Sequence, residues 1–134
     1  MNDNGEFLIQ KRSSIRQINP NKWAFTGGTI IAGEKSEEGA MSETKEELGI
    51  DLNINDLEFL LSFKREHDFL DVWLARVNIK LENIKIQEEE VSEVKWVSLK
   101  ELDTIINNGE FVPVINLYYD LFKKLLIKCH NLKN

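Results

Sequence analysis

Residues 27–50 read GGTIIAGEKSEEGAMSETKEELGI, a pair of glycines followed by a segment rich in Glu, Lys, Ala and Met. That composition favours a helix over Ser36–Leu48, with Ser36, Glu37 and Glu38 suiting its N-terminal end and Gly49 stopping it as the residue past the last turn. Glu43, Glu46 and Glu47 stand at i, i+3 and i+4, so such a helix carries all three on one face, with Cβ atoms roughly 5 to 6 Å apart. Like charges at that spacing repel, and a hard divalent cation with oxygen ligands would turn the cost into binding energy. A solvated helix with Lys45 among its glutamates is the other account of the same residues.

Around this segment the chain alternates short apolar runs with polar turns. Strands are expected over 5–12 (GEFLIQKR), 23–25, 57–63, 69–77 and 94–97, the third and fourth joined as a hairpin across KREHD. A short helix is expected over 99–106, with Ser98 as its N-cap and Asn107, Asn108 and Gly109 ending it. Beyond Pro113, Val114, Ile115, Leu117, Tyr118, Leu121, Phe122, Leu125 and Leu126 recur at helical spacing, which predicts one C-terminal packing helix. The order of strands, helix, strands and helices indicates α/β or α+β with a mixed sheet. Trp23, Phe25, Trp73 and Trp96 lie at apolar strand positions and suit a core.

At 134 residues, with 42% hydrophobic residues, the chain suffices for one core, and a single domain over 1–134 is expected. No window approaches the roughly 18 apolar residues of a membrane span, and MNDNGEFL is unlike a signal peptide, so no membrane association and a cytoplasmic location are expected. A lone Cys129 and two scattered histidines give neither a disulfide nor zinc-ligand spacing. The formal charge of −6 argues against binding duplex nucleic acid, since such proteins present a basic face.

The spacing Gly28, five residues, Glu34, seven residues, Ser42-Glu43, two residues, Glu46-Glu47, one residue, Gly49-Ile50 resembles the Nudix box, G-x5-E-x7-R-E-U-x-E-E-x-G-U with U a bulky apolar residue. Seven of its nine defined positions match, the departures being Ser42 for Arg and Thr44 for an apolar residue. The flanks FLIQKRSSIRQINPNKWAFTGG and EEEVSEVKWVSLKEL are similar to the family's strand and loop before the box, and to its acidic loop, Trp strand and short helix after it. The resemblance implies a Nudix-type α/β/α sandwich with a mixed central sheet. It implies Mg²⁺- or Mn²⁺-dependent hydrolysis of a nucleoside diphosphate linked to another moiety.

It also implies roles for residues. Glu43, Glu46 and Glu47 match catalytic and metal-binding positions, Gly27 a position that offers its backbone carbonyl to the metal, and Gly28, Glu34 and Gly49 positions that support the box. A further metal carboxylate is expected from Glu88, Glu89 or Glu90, with Glu90 favoured. Arg12, Arg16 and Phe25 are the expected substrate contacts, with Lys64 and Arg65 further cations suited to phosphate. His67 is assigned no role.

Two departures shape the expectations. The family's box arginine holds carboxylates through a charge-assisted fork, and Ser42 offers none, so the site is expected to turn over slowly or to serve as a nucleotide-binding or sensing module. Family members generally have another strand before the one expected at 5–12, where this chain has Met1 to Asn4. An edge left unpaired in that way predicts a homodimer. QKRS and INPNKW also resemble isopentenyl-diphosphate isomerase, but that activity needs a cysteine near the box, where this chain has Thr26-Gly27-Gly28.

Overall fold

Gly49 lies at φ +66°, the left-handed conformation that ends the helix α1 (Ser36–Leu48), and its N–H donates to Lys45 O at 3.0 Å. A Cβ there would lie 2.9 Å from Lys85 Cβ and 3.2 Å from Lys85 O, so position 49 needs glycine for both conformation and space. Replacing Gly49 by Ala is expected to cost about 1–2 kcal/mol, read as a lowered thermal midpoint. The computed structural model describes residues 1–28 and 34–132; the spacer 29–33 of the box lies outside them.

Two antiparallel sheets carry the chain. In the first, β1 (Phe7–Arg12) lies between β2 (Trp23–Ala24) and β5 (Val91–Val97). In the second, β3 (Leu57–Lys64) pairs with β4 (Phe69–Ala75). A parallel bridge between Trp23 and Phe111, with Trp23 N–H donating to Glu110 O and Val112 N–H to Trp23 O, adds the mixed character. The helix α1 lies against β4, α2 (Leu99–Asn107) against β5 and α3 (Tyr119–His130) against β3, so helices flank the strands as in an α/β/α sandwich. One hydrophobic cluster brings Ile9 and Val97 of the first sheet together with Leu102, Ile115 and Leu126, all five fully buried. No helix among the described residues is long and apolar enough to cross a membrane.

Several boundaries differ from expectation. The first strand starts at Phe7, because Gly5 at φ +73° belongs to a turn in which its N–H donates to Asn2 O. The strand before α2 starts at Val91, three residues earlier than expected, because it pairs along all of β1, from Phe7 opposite Val97 to Arg12 opposite Val91; exposed Ser92 and Glu93 hide that continuity from an apolar pattern. The residue capping α1 is Lys35, whose N–H donates to Glu38 Oε2 at 3.4 Å, while Ser36 is the first helical residue. Ser36 Oγ instead accepts from Trp73 Nε1 at 2.7 Å, which fastens α1 to β4. Ser98 caps α2 as expected, with Glu101 returning the bond to Ser98 N–H.

The single C-terminal helix is corrected to two pieces. A 3-10 turn over Pro113–Leu117 is separated from α3 by Tyr118 at φ −138°, ψ 0°. Leu117 and Leu121, which the helical spacing put in the core, are 47% and 50% exposed, because the buried face runs through Ile115, Tyr118, Tyr119, Phe122 and Leu126 instead.

Candidate functional site

The helix α1 is nearly all polar, and its buried residues are Gly39, Glu47 and Leu48. A carboxylate among them calls for a partner, since an unsatisfied buried acceptor is costly. Glu47, 6% exposed, has its Oε2 accept from Gln10 Nε2 at 3.0 Å, and Gln10 Oε1 in turn accepts from Thr26 Oγ1 at 2.8 Å. Gln10 is itself buried on β1, so the strand delivers an amide to the helix and the loop after β2 holds that amide in place. Burial pushes the Glu47 carboxyl above its ordinary value, with the Gln10 bond opposing, Glu43 adding to the rise, and Arg16 and Arg12 offsetting it.

One turn earlier, the half-buried Glu43 is also raised, first by burial, then by Glu46, then by Glu34, against the pull of Arg16. Glu46 is exposed. Gly28 faces this group so closely that a Cβ would run into the Glu43 carboxylate, whereas the space at Gly27 is open. Ser42 Oγ lies 3.0 Å from Glu38 O and 3.2 Å from Glu34 Oε2. The serine thus reaches the box glutamate but brings no charge.

The acidic loop closes the other side. Lys85 N–H donates to Leu48 O and Gln87 N–H to Glu47 O, each at 2.9 Å, so residues 85–87 are tied to the end of α1. Glu90 follows in a turn, its O accepts from Ser13 N–H at 2.9 Å, and its carboxylate is ion-paired with Arg16. Glu88 and Glu89 are exposed. The Arg12 guanidinium donates to Ile18 O and Asn19 O at 2.7 to 3.2 Å, so its fork holds the loop after β1.

The other expected contacts are dispersed. Phe25 packs its ring against Phe7, Phe111 and Phe122, on the core side. Arg65 pairs with Asp68 at the β3–β4 turn, and Lys64 and His67 are exposed. The structure thus gathers Gly28, Glu34, Glu43, Glu46 and Glu47 with Glu90 and Arg16 nearby. Among the described residues no three acidic, histidine or cysteine side chains converge closely enough to hold an ion as they stand. Gln10 and Thr26 escaped the sequence reading, because Gln10 opens the polar half of FLIQKR and nothing local marks it as buried.

Comparison with known proteins bears on this arrangement. An uncharacterized Nudix hydrolase of Listeria monocytogenes is 34% identical over 113 residues, covering 84% of this chain and 67% of its own length. A solved structure from Deinococcus radiodurans matches with TM-score 0.69 at 25% identity, over 83% of this chain and 70% of that one. The MutT protein of Methanosarcina mazei Go1 matches with TM-score 0.66 at 26% identity, over 98% and 89%. The sequence profile described as the NUDIX domain matches residues 1–115, and with that span the chain belongs to the Nudix family.

Proposed function

We propose that this chain hydrolyses a diphosphate linkage in a nucleoside diphosphate derivative, using Mg²⁺ or Mn²⁺ held by Glu43, Glu46 and Glu47, with Gly27 O and Glu90 as further ligands. The observation that carries this reading is the buried Glu47 carboxylate, held by Gln10 at 3.0 Å, one turn from a half-buried Glu43 whose carboxylate fills the space left open at Gly28. Such carboxylates fit a hard cation, because all are oxygen donors and their repulsion is what the ion would relieve. When bound, a divalent ion polarises phosphoryl oxygens and makes its water acidic enough to attack phosphorus.

The chain's own residues prepare that chemistry. Gln10 and Thr26 orient the Glu47 carboxylate, Ser42 reaches the Glu34 carboxylate, and bare Gly28 leaves room for the Glu43 carboxylate. Exposed Cys129 suits a reducing compartment, consistent with a cytoplasmic enzyme of one domain over 1–134. The homodimer belongs to this proposal as well, and light scattering tests it. The substrate panel spans nucleotide sugars, ADP-ribose, dinucleotides and oxidised nucleoside triphosphates. Calorimetry with Mg²⁺ or Mn²⁺ followed by phosphate-release kinetics tests the function: metal-dependent release from one class is expected, and no release from any would overturn the reading.

Two smaller effects follow from the same contacts. Gln10→Ala removes the donor to Glu47, and the expected result is roughly a 10-fold to 100-fold loss of metal affinity by calorimetry. Ser42→Arg restores the missing fork, and a several-fold rise in turnover, roughly 1 kcal/mol, is the expected outcome. Unchanged rates would show that Ser42 does not limit the enzyme.

A further inference from the structure

The family's box motif supplies a countercharge from within the helix, at the position held here by Ser42. The structure brings one from another element. The loop after β1 leaves Arg12, turns with Arg16 N–H donating to Ser13 O at 3.2 Å, and returns where Asn21 N–H donates to Arg12 O at 3.0 Å. Asn19 and Asn21 at φ 51° and 61° make that tight return, and the Arg12 guanidinium fastens the Ile18 and Asn19 carbonyls from inside. The Ser13 bond to Glu90 O then sets the loop against the acidic turn.

Arg16 is thereby aimed at the glutamates. Its guanidinium pairs with Glu90, with the two side chains only 28% and 36% exposed, and it draws on both Glu43 and Glu47 from the same place. Arg12 stands near enough to attract Glu47 and to be repelled by Arg16. An arginine paired with a partly desolvated carboxylate is a stronger partner than a fully exposed ion pair.

We propose that Arg16 is the resident countercation of this site, doing from the loop what the box arginine does from the helix, and that a divalent ion must displace it from Glu90 in order to bind. This rests on the metal reading above. It makes Arg16 a positioning residue with two effects of opposite sign: it steadies the metal-free site and weakens the ion's hold.

The test measures Mn²⁺ binding, by loss of the free-ion electron paramagnetic resonance signal, together with the metal-free thermal midpoint. Arg16→Ala is expected to bind Mn²⁺ about fivefold more tightly than the wild type, the scale of one partly exposed ion pair, and to melt lower without metal. Arg16→Gln, which keeps the bulk, should behave alike and guards against a folding defect in the alanine variant. Adding Ser42→Arg to either should bring affinity and midpoint back toward wild type. Unchanged or weaker Mn²⁺ binding in both Arg16 variants would overturn displacement, and an unchanged metal-free midpoint would overturn the countercation itself. Absence of Mn²⁺ binding in every protein, wild type included, would overturn the metal reading, while the midpoints would still judge the countercation.

Discussion

Glu47→Gln is expected to reduce metal-dependent hydrolysis by about 10³-fold, ~4 kcal/mol in the barrier, while making the metal-free protein more stable. The two effects share one cause. Glu47 is a buried carboxylate whose protonation is pushed above the ordinary 4.5 by burial, so its ionised form costs the metal-free fold stability and is retained for what it binds. A group raised in the folded state gives its full stabilising contribution below its unfolded value and loses it as pH rises through its folded value. The stability gained by Glu47→Gln should therefore be present at neutral pH, shrink as pH falls through the folded value, and vanish below about 4.5. Melting both proteins without metal between neutral pH and pH 4, alongside rate measurements with Mg²⁺, reads both halves. A slow enzyme with no gain in neutral stability would mean that Glu47 is not strained in the metal-free fold.

The contrast between Glu47 and Gln10 shows what the sequence could and could not disclose. Composition placed a helix over Ser36–Leu48 ended by Gly49, which α1 matches, and helical spacing put Glu43, Glu46 and Glu47 together on it. Periodicity does not say which of three clustered carboxylates is buried. That depends on β1 passing beneath the end of α1, a contact 37 residues apart in sequence. The partner of Glu47 is therefore set by tertiary packing, and Gln10 read locally as one more polar residue in a strand. The same limit applies to Arg16, whose role depends on how the loop after β1 folds back onto Glu90. The break at Tyr118 was hidden because local apolar spacing continues through it, with Ile115 before it and Phe122 and Leu126 after it all buried at helical intervals. Motif and caps are local and legible; burial of a charge, and the partner it recruits, belong to the fold.

Gly28→Ala should separate the fold from the site more cleanly than any glutamate substitution. The atom that an added Cβ would meet is the carboxylate of Glu43, the far end of a flexible side chain, so the helix need not move. Glu43 can swing aside at little cost in stability, because it is half-buried and its carboxylate is already crowded by Glu46 and Glu34. The thermal midpoint is thus expected to stay within about 1 °C of wild type, the scale of a few tenths of a kcal/mol in a domain of this size. Activity is another matter. A catalytic group displaced by about 1 Å costs on the order of 10²-fold, and here the displaced group is a proposed metal ligand, so turnover should fall by about that factor and metal affinity with it. Gly28→Ala paired with Glu43→Ala then reports whether the two act through one contact: if the glycine serves only to admit that carboxylate, the second change adds little to the first. Additive losses would instead place the role of Gly28 in the backbone of the turn, independent of Glu43.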